Sequence, residues 1–204
     1  MTADFPTLYL IRHAPTGETG RYTGQRDVDC LAPTGLDEAQ AAALANAHAA
    51  WFASDLQRSR RSAEFVRDCV LPATHIEWHP ALREQSFGEW EGKSYDEVYL
   101  KNRGLDWNRP ALLTPPGGES FLDMYARVES FLSAHVQNNA IIVAHAGSIR
   151  AILSHALGFP PEQSLRMQVD PGSISAVKYY ELRAGGGSLE YLNRPLIHTT
   201  EGAG

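Results

Sequence analysis

Apolar residues along the chain follow two rhythms. Three short runs, "TLYLIR" (Thr7–Arg12), "WFAS" (Trp51–Ser54) and "AIIVAH" (Ala140–His145), are nearly continuous and mostly β-branched or aromatic, and they predict strands, as does "HIEWHP" (His75–Pro80). Longer segments between them carry apolar residues at helical spacing. "TGLDEAQAAALANAHAA" (Thr34–Ala50) predicts a helix with Thr34 as N-cap, Pro33 just before it, and Asp37 and Glu38 in its first turn. "SRRSAEFVRDCV" (Ser59–Val70) predicts a second helix, ended near Pro72. Ser94 and Glu97 stand at capping-box spacing and start a third. Ser120 caps a long helix, "SFLDMYARVESFLSAHV", and "GSIRAILSHALG" predicts another that closes at Gly158. Residues 103–120 read as loop, with Pro and Gly gathered toward the end. "SISAVKYYEL" and "LEYLNR", joined by "GGGS", predict a terminal hairpin, and "TEGAG" a frayed tail.

Strands that alternate with helices imply βαβ units. The expected fold is α/β: a three-layer αβα sandwich with a mostly parallel central sheet and a C-terminal hairpin at one edge. Residues 1–204 suit one domain with a short insertion near 94–118. Hydrophobic residues make up 43%, enough for a real core. A net charge of −6 argues against a nucleic-acid face, though a few converging arginines can still bind a phosphate. Cys30 and Cys69 are too few for a disulfide framework and lack metal-site spacing. The N-terminus lacks the pattern of a signal peptide, and no window is apolar enough to span a membrane, so a cytoplasmic protein is expected.

In sheets of this kind ligands sit beyond the carboxyl ends of the strands. Two strand ends carry histidine directly before a turn: Arg12-His13, and His145-Ala146-Gly147. A lone histidine there is usually structural, but two at matching positions of one parallel sheet point to a shared site. The strand–loop–helix at "VAHAGSIR" also aims helix N-terminal amides toward its own loop, which favours an anion. Arg58 belongs to an arginine-rich run with Arg60 and Arg61, ordinarily a solvated helix face. Its place just after "WFAS" sets it apart from them. Composition alone does not separate Glu84 from Glu89 and Glu91. Trp90, Trp107 and Tyr22 read first as packing residues, with one of them a candidate for lining a pocket.

"LIRHAPTGETGRYTGQRDV" resembles the signature of the histidine phosphatase superfamily, the phosphoglycerate mutase-like fold. "SDLQRSRRSAEF", "LREQSFGEWEG", "PPGGESF" and "VAHAGSIRAIL" resemble further segments of that family, in order. The likeness runs from about Leu8 to Leu157. Ala14 departs from the family's usual Gly and is tolerated if its φ is negative. The resemblance implies a nucleophile at His13, which becomes a phosphohistidine. It implies Arg12 and Arg58 forked onto phosphoryl oxygens, His145 as a further donor, and Glu84 as the acid for the leaving oxygen. Thr16, Thr23, Gly24, Ala146 and Gly147 are implied to touch phosphate or substrate. No metal and no cofactor are implied, since cationic side chains balance the charge. The implied partner is a small phosphorylated metabolite; a homodimer is left open.

Mutases of the superfamily are generally longer, with a larger insertion after the acid motif. The short insertion here favours net hydrolysis, and "RYTGQRDV" with "PPGGESF" most resembles α-ribazole phosphatases, which act on α-ribazole 5′-phosphate in cobalamin biosynthesis. The alternatives are a phosphoglycerate mutase, a broad sugar-phosphate or phosphoglycerate phosphatase, and a non-catalytic phospho-ligand module. The intact set Arg12, His13, Arg58, Glu84 and His145 argues against the last.

Overall fold

The computed structural model describes residues 5–181 and 186–200. Strand β1 (Thr7–Arg12) is followed by β2 (Pro33–Leu36), α1 (Glu38–Ala45), β3 (Ala50–Ala53), α2 (Gln57–Val70) and β4 (Glu77–Trp78). Then come α3 (Tyr95–Lys101), α4 (Phe121–His135), β5 (Ala140–Ala144), α5 (Ala146–Leu157) and α6 (Pro161–Ser164). Strands β6 (Ser173–Glu181), β7 (Gly186–Pro195) and β8 (Ile197–Thr199) are the last of the described elements. Six strands form one sheet in the order β4-β3-β5-β1-β6-β7. The first four run parallel to one another, and β6 and β7 close one edge as an antiparallel hairpin. The expected turn "GGGS" is corrected in part, because Gly186, Gly187 and Ser188 already belong to β7 and pair with β6; residue 185 and nearly all of the expected tail lie outside the described residues.

The alternation of side chains along each strand builds two cores, one on each face of the sheet. Leu8 and Leu10 of β1 and Ala140, Ile142 and Ala144 of β5 pack under α4 and α5 against Phe121, Met124, Val128, Ile149 and Ile152. Ile11, Ile141 and Val143 point the other way and meet Leu44, Ala63 and Val66 from α1 and α2. This is the expected three-layer α/β arrangement. All five residues of β5 are buried, as a central parallel strand covered on both faces requires.

Some local expectations are corrected. Thr34 does not cap a helix. The segment "PTGL" is taken up as β2 by pairing with β8, a strand that no pattern in the sequence marked. Asp37 caps α1 instead, accepting from Gln40 N at 3.0 Å. The helix stops at Ala45 rather than Ala50, because Asn46 turns back to the Ala42 carbonyl and His48 adopts φ 45° before β3 begins. "HIEWHP" yields strand only at Glu77–Trp78, the two residues that β3 pairs. Ser120 caps α4 through a full capping box with Asp123, and Ser94 caps α3 by accepting from Glu97 N at 3.1 Å. Gly158 ends α5 in the left-handed conformation.

Candidate active site

β1 and β5 are hydrogen-bonded neighbours in register, Arg12 opposite Ala144, so both histidine-bearing ends open at the same place. The pairing continues one residue beyond the strand: His13 N–H donates to the Ala144 carbonyl at 3.0 Å. The rings of His13 and His145 lie 5.0 Å apart, centroid to centroid. Ala14 follows without a positive φ and with its methyl buried, so the departure from glycine costs nothing there.

The His13 ring is held from one side only. Nδ1 lies 2.7 Å from the Ala14 carbonyl and donates to it, which leaves the lone pair on Nε2. Burial, then the guanidinium groups of Arg58 and Arg12, push its pKa well below the usual histidine value. The imidazole is therefore neutral at pH 7 and is a competent nucleophile. His145 is shifted the same way, by burial and then by Arg58.

The two arginines are anchored by backbone carbonyls. Arg12 Nη1 donates to Val169 O at 2.6 Å, and its Nε is buried with no partner among the described residues. Arg58 Nη1 and Nη2 donate to the carbonyls of Arg26 and Gly24 at 2.8 and 2.6 Å. Burial lowers the pKa of both arginines, partly offset by the nearby Glu84 carboxylate. Arg58 is only 1% exposed, unlike the solvated face that its neighbours Arg60 and Arg61 suggested. Ser62 joins this arginine's helix to the histidine loop: its Oγ accepts from Ala14 N at 2.9 Å and donates to the Arg58 carbonyl at 2.7 Å.

Among the three acids, the contacts decide. Glu84 Oε1 accepts from Gln85 N at 3.0 Å and Oε2 from Gly147 N at 3.2 Å, so this carboxylate is clamped against the first turn of α5. A Cβ at position 147 would overlap Oε1 of Glu84, so only glycine allows the approach. Glu91 is a bracket for two loops, its Oε1 accepting from Gln25 N at 2.8 Å and Phe87 N at 3.1 Å. Glu89 is exposed.

Arg12, His13, Thr16, Thr23, Gly24, Arg58, Glu84, Ala146 and Gly147 all line one cleft of about 410 Å³. His145 does not reach its wall. It is fully buried behind His13, with Nε2 2.8 Å from Ser54 Oγ and Nδ1 unpartnered among the described residues. The amide of Gly147, expected to face phosphate, is taken by Glu84. The sequence reading missed Ser54, which holds His145, and also Arg21, Arg150, Gln85, Phe87 and Tyr95 in the cleft. Ser54 had a signal, since it ends a strand beside the site. The other five sit on loops and helices where no pattern distinguishes them. Tyr22 lines the cleft, whereas Trp90 and Trp107 stack on each other at 5.7 Å and line a smaller adjoining hollow.

A neutral histidine beside one buried and one half-buried arginine, with a clamped carboxylate lining the same cleft, suits phosphoryl transfer to nitrogen. The sequence profile of the histidine phosphatase superfamily (branch 1) matches residues 8–193. The chain belongs to the histidine phosphatase superfamily. This histidine phosphatase relative is 35% identical over 133 residues to the 2,3-bisphosphoglycerate-dependent phosphoglycerate mutase of Sinorhizobium fredii, a match that covers 60% of this chain and 63% of the mutase. The α-ribazole phosphatase of Shigella flexneri is 26% identical, with a TM-score of 0.71 over 92% of this chain and 96% of that one. The mycobacterial glucosyl-3-phosphoglycerate phosphatase shares the fold, with a TM-score of 0.74 over 92% and 98% of the two chains at 22% identity. The superfamily thus holds both phosphatases and mutases. Among the described residues, no helix is long and apolar enough to cross a membrane.

Proposed function

We propose that this chain hydrolyses phosphomonoesters through a phosphohistidine at His13, without a metal. One observation carries the reading: a neutral imidazole whose Nδ1 is tied to the Ala14 carbonyl, leaving Nε2 free on a cleft ringed by arginine. Nε2 attacks phosphorus as the ester oxygen leaves. Arg12 and Arg58 balance charge on the equatorial oxygens, and the buried Arg12 Nε–H, left without a partner among the described residues, gains one when the phosphoryl group arrives. Glu84 gives its proton to the leaving oxygen and regains one from the water that then cleaves the P–N bond. His145, held by Ser54, supports His13 from behind.

The leaving group we favour carries a flat apolar ring. Tyr22 packs edge-on against both Phe87 and Tyr95 at 4.8 Å, which gives the cleft an aromatic wall, and Phe121 adds to it. α-Ribazole 5′-phosphate has such a ring, and the likeness to the Shigella α-ribazole phosphatase supports it as the substrate. The second reading, phosphoglycerate mutase, draws on the 35% identity to the Sinorhizobium enzyme.

The test of the nucleophile is acid-quenched enzyme taken during turnover. Wild type should hold acid-labile, base-stable phosphate, and a folded His13→Ala protein should hold none and turn over nothing. Appreciable turnover by that variant refutes the proposal. Phosphate release across a panel of phosphomonoesters then ranks substrates. A phosphoenzyme that passes its group to glycerates faster than to water would favour the mutase.

A further inference from the structure

The sequence shows no cluster with metal-ligand spacing, but the fold assembles one away from the cleft. Glu77 and His79 lie at the edge strand β4, and His135 ends α4. Sheet and helix packing bring one ligand atom from each within 4.8 Å of the others. His79 Nε2 is 3.6 Å from Glu77 Oε2, and the two imidazole centroids are 4.4 Å apart. Donor atoms around a tetrahedral zinc ion, each ~2.0–2.1 Å from the metal, stand about 3.3 Å from one another. The observed spacing, within 4.8 Å, is wider than that by up to about 1.5 Å, which side-chain rotation would have to close on binding.

The two rings are already held in place. His79 N–H donates to the Ala53 carbonyl at 2.8 Å, which fixes the backbone. Its ring packs edge-on against Phe131 at 4.9 Å, and the His135 ring stacks on the same Phe131 at 5.2 Å with 23° between planes. Phe52 backs the His79 ring at 6.1 Å. The pair thus has an apolar floor, while Glu77 and His135 reach solvent. Among the described residues, neither imidazole makes a hydrogen bond, and the Glu77 carboxylate has only its approach to His79. Ring nitrogens and carboxylate oxygens with no other partner, converging on one point, are available as ligands. None of the three lines the catalytic cleft, so the phosphoryl chemistry leaves them unexplained.

We propose that Glu77, His79 and His135 form a divalent transition-metal site that takes Zn²⁺, with water completing the coordination. Two imidazoles and one carboxylate match the donor preference of zinc and lack the all-oxygen character that magnesium and calcium prefer. A bound ion would tie the edge strand to the C-terminal end of α4, close to the segment that leads from His79 to Glu84.

Zinc is titrated into the chelator-stripped full chain by calorimetry, and thermal unfolding is followed in parallel. One equivalent should bind to wild type. His135→Ala and Glu77→Gln, both at exposed positions, should each weaken that binding at least about tenfold, since loss of even an outer-shell partner costs ~10–100-fold. Zinc at a hundredfold excess over Kd should raise the Tm of wild type by about 5–10 °C, and the double variant should lose that shift. No saturable zinc binding by wild type, or equal binding by the folded double variant, overturns the site.

Discussion

In Gly147→Ala the added methyl group overlaps Oε1 of Glu84 and stands 3.2 Å from its Cδ and 3.0 Å from Cε of Met124. The methionine end can swing aside. The carboxylate cannot stay, and restoring ordinary contact moves its oxygen by about 1 Å, a displacement that costs catalysis roughly 100-fold. The helix itself is not harmed, because alanine is favoured over glycine in helices by about 1 kcal/mol. The loss should depend on the leaving group. An alkyl phosphate departs as a strongly basic alkoxide and needs the proton from Glu84. p-Nitrophenyl phosphate departs as a weakly basic phenolate and hardly needs it. Burst-phase phosphorylation of His13 should therefore slow by about 100-fold on the alkyl ester and far less on the aryl ester. Glu84→Gln should show the same pattern within the ~10²–10⁴-fold range of general acid catalysis. The burst is the quantity to compare, because dephosphorylation can limit steady turnover. Glu89→Gln is the control, being exposed. If a folded Gly147→Ala protein keeps its alkyl burst, or slows both bursts equally, Glu84 is not the acid.

Three further outcomes are expected. Both His13 and His145 refuse a proton in the folded state that the unfolded chain accepts near pH 6.5, chiefly through burial. Stability should thus be full above pH 6.5 and fall as pH drops below it, by about 1.4 kcal/mol per pH unit for each histidine until its native pKa is reached. Urea midpoints that stay flat from pH 6.5 to 5.5 contradict this, and His145→Gln should shallow the slope. Glu91→Ala strands the amides of Gln25 and Phe87, so it should cost ~1–3 kcal/mol and raise KM by loosening the Gly24 loop; denaturant unfolding and kinetics at unchanged stability would refute the bracket role. Phosphatase activity should survive exhaustive chelation, since arginines do the charge balancing; a large loss restored by added divalent ion would indicate another mechanism.

Local pattern was enough for the elements that set the frame. β1, β5, α4 and α5 are legible because each is long or apolar enough for its own residues to decide its state, and Ser120 and Gly158 mark their ends. The pairing of the two histidines was legible too, since like strands of a parallel sheet end on the same side. Weak segments were not. "PTGL" has no strand character of its own and becomes β2 only because β8 arrives beside it. The choice among Glu84, Glu89 and Glu91 also lay beyond composition and spacing. It rests on which carboxylate meets the amide of Gly147, a residue 63 positions away along the chain from Glu84. The Glu77, His79 and His135 cluster is of the same kind, joined by an edge strand packing near the end of a distant helix. Sequence by itself determined the periods of the strands and helices and the residue types at their ends, because those depend on neighbours along the chain. Only tertiary structure decided which carboxylate is clamped in the cleft, which serine holds His145 and which ring nitrogens converge, because those depend on groups that meet only after the sheet and its two helical layers have closed.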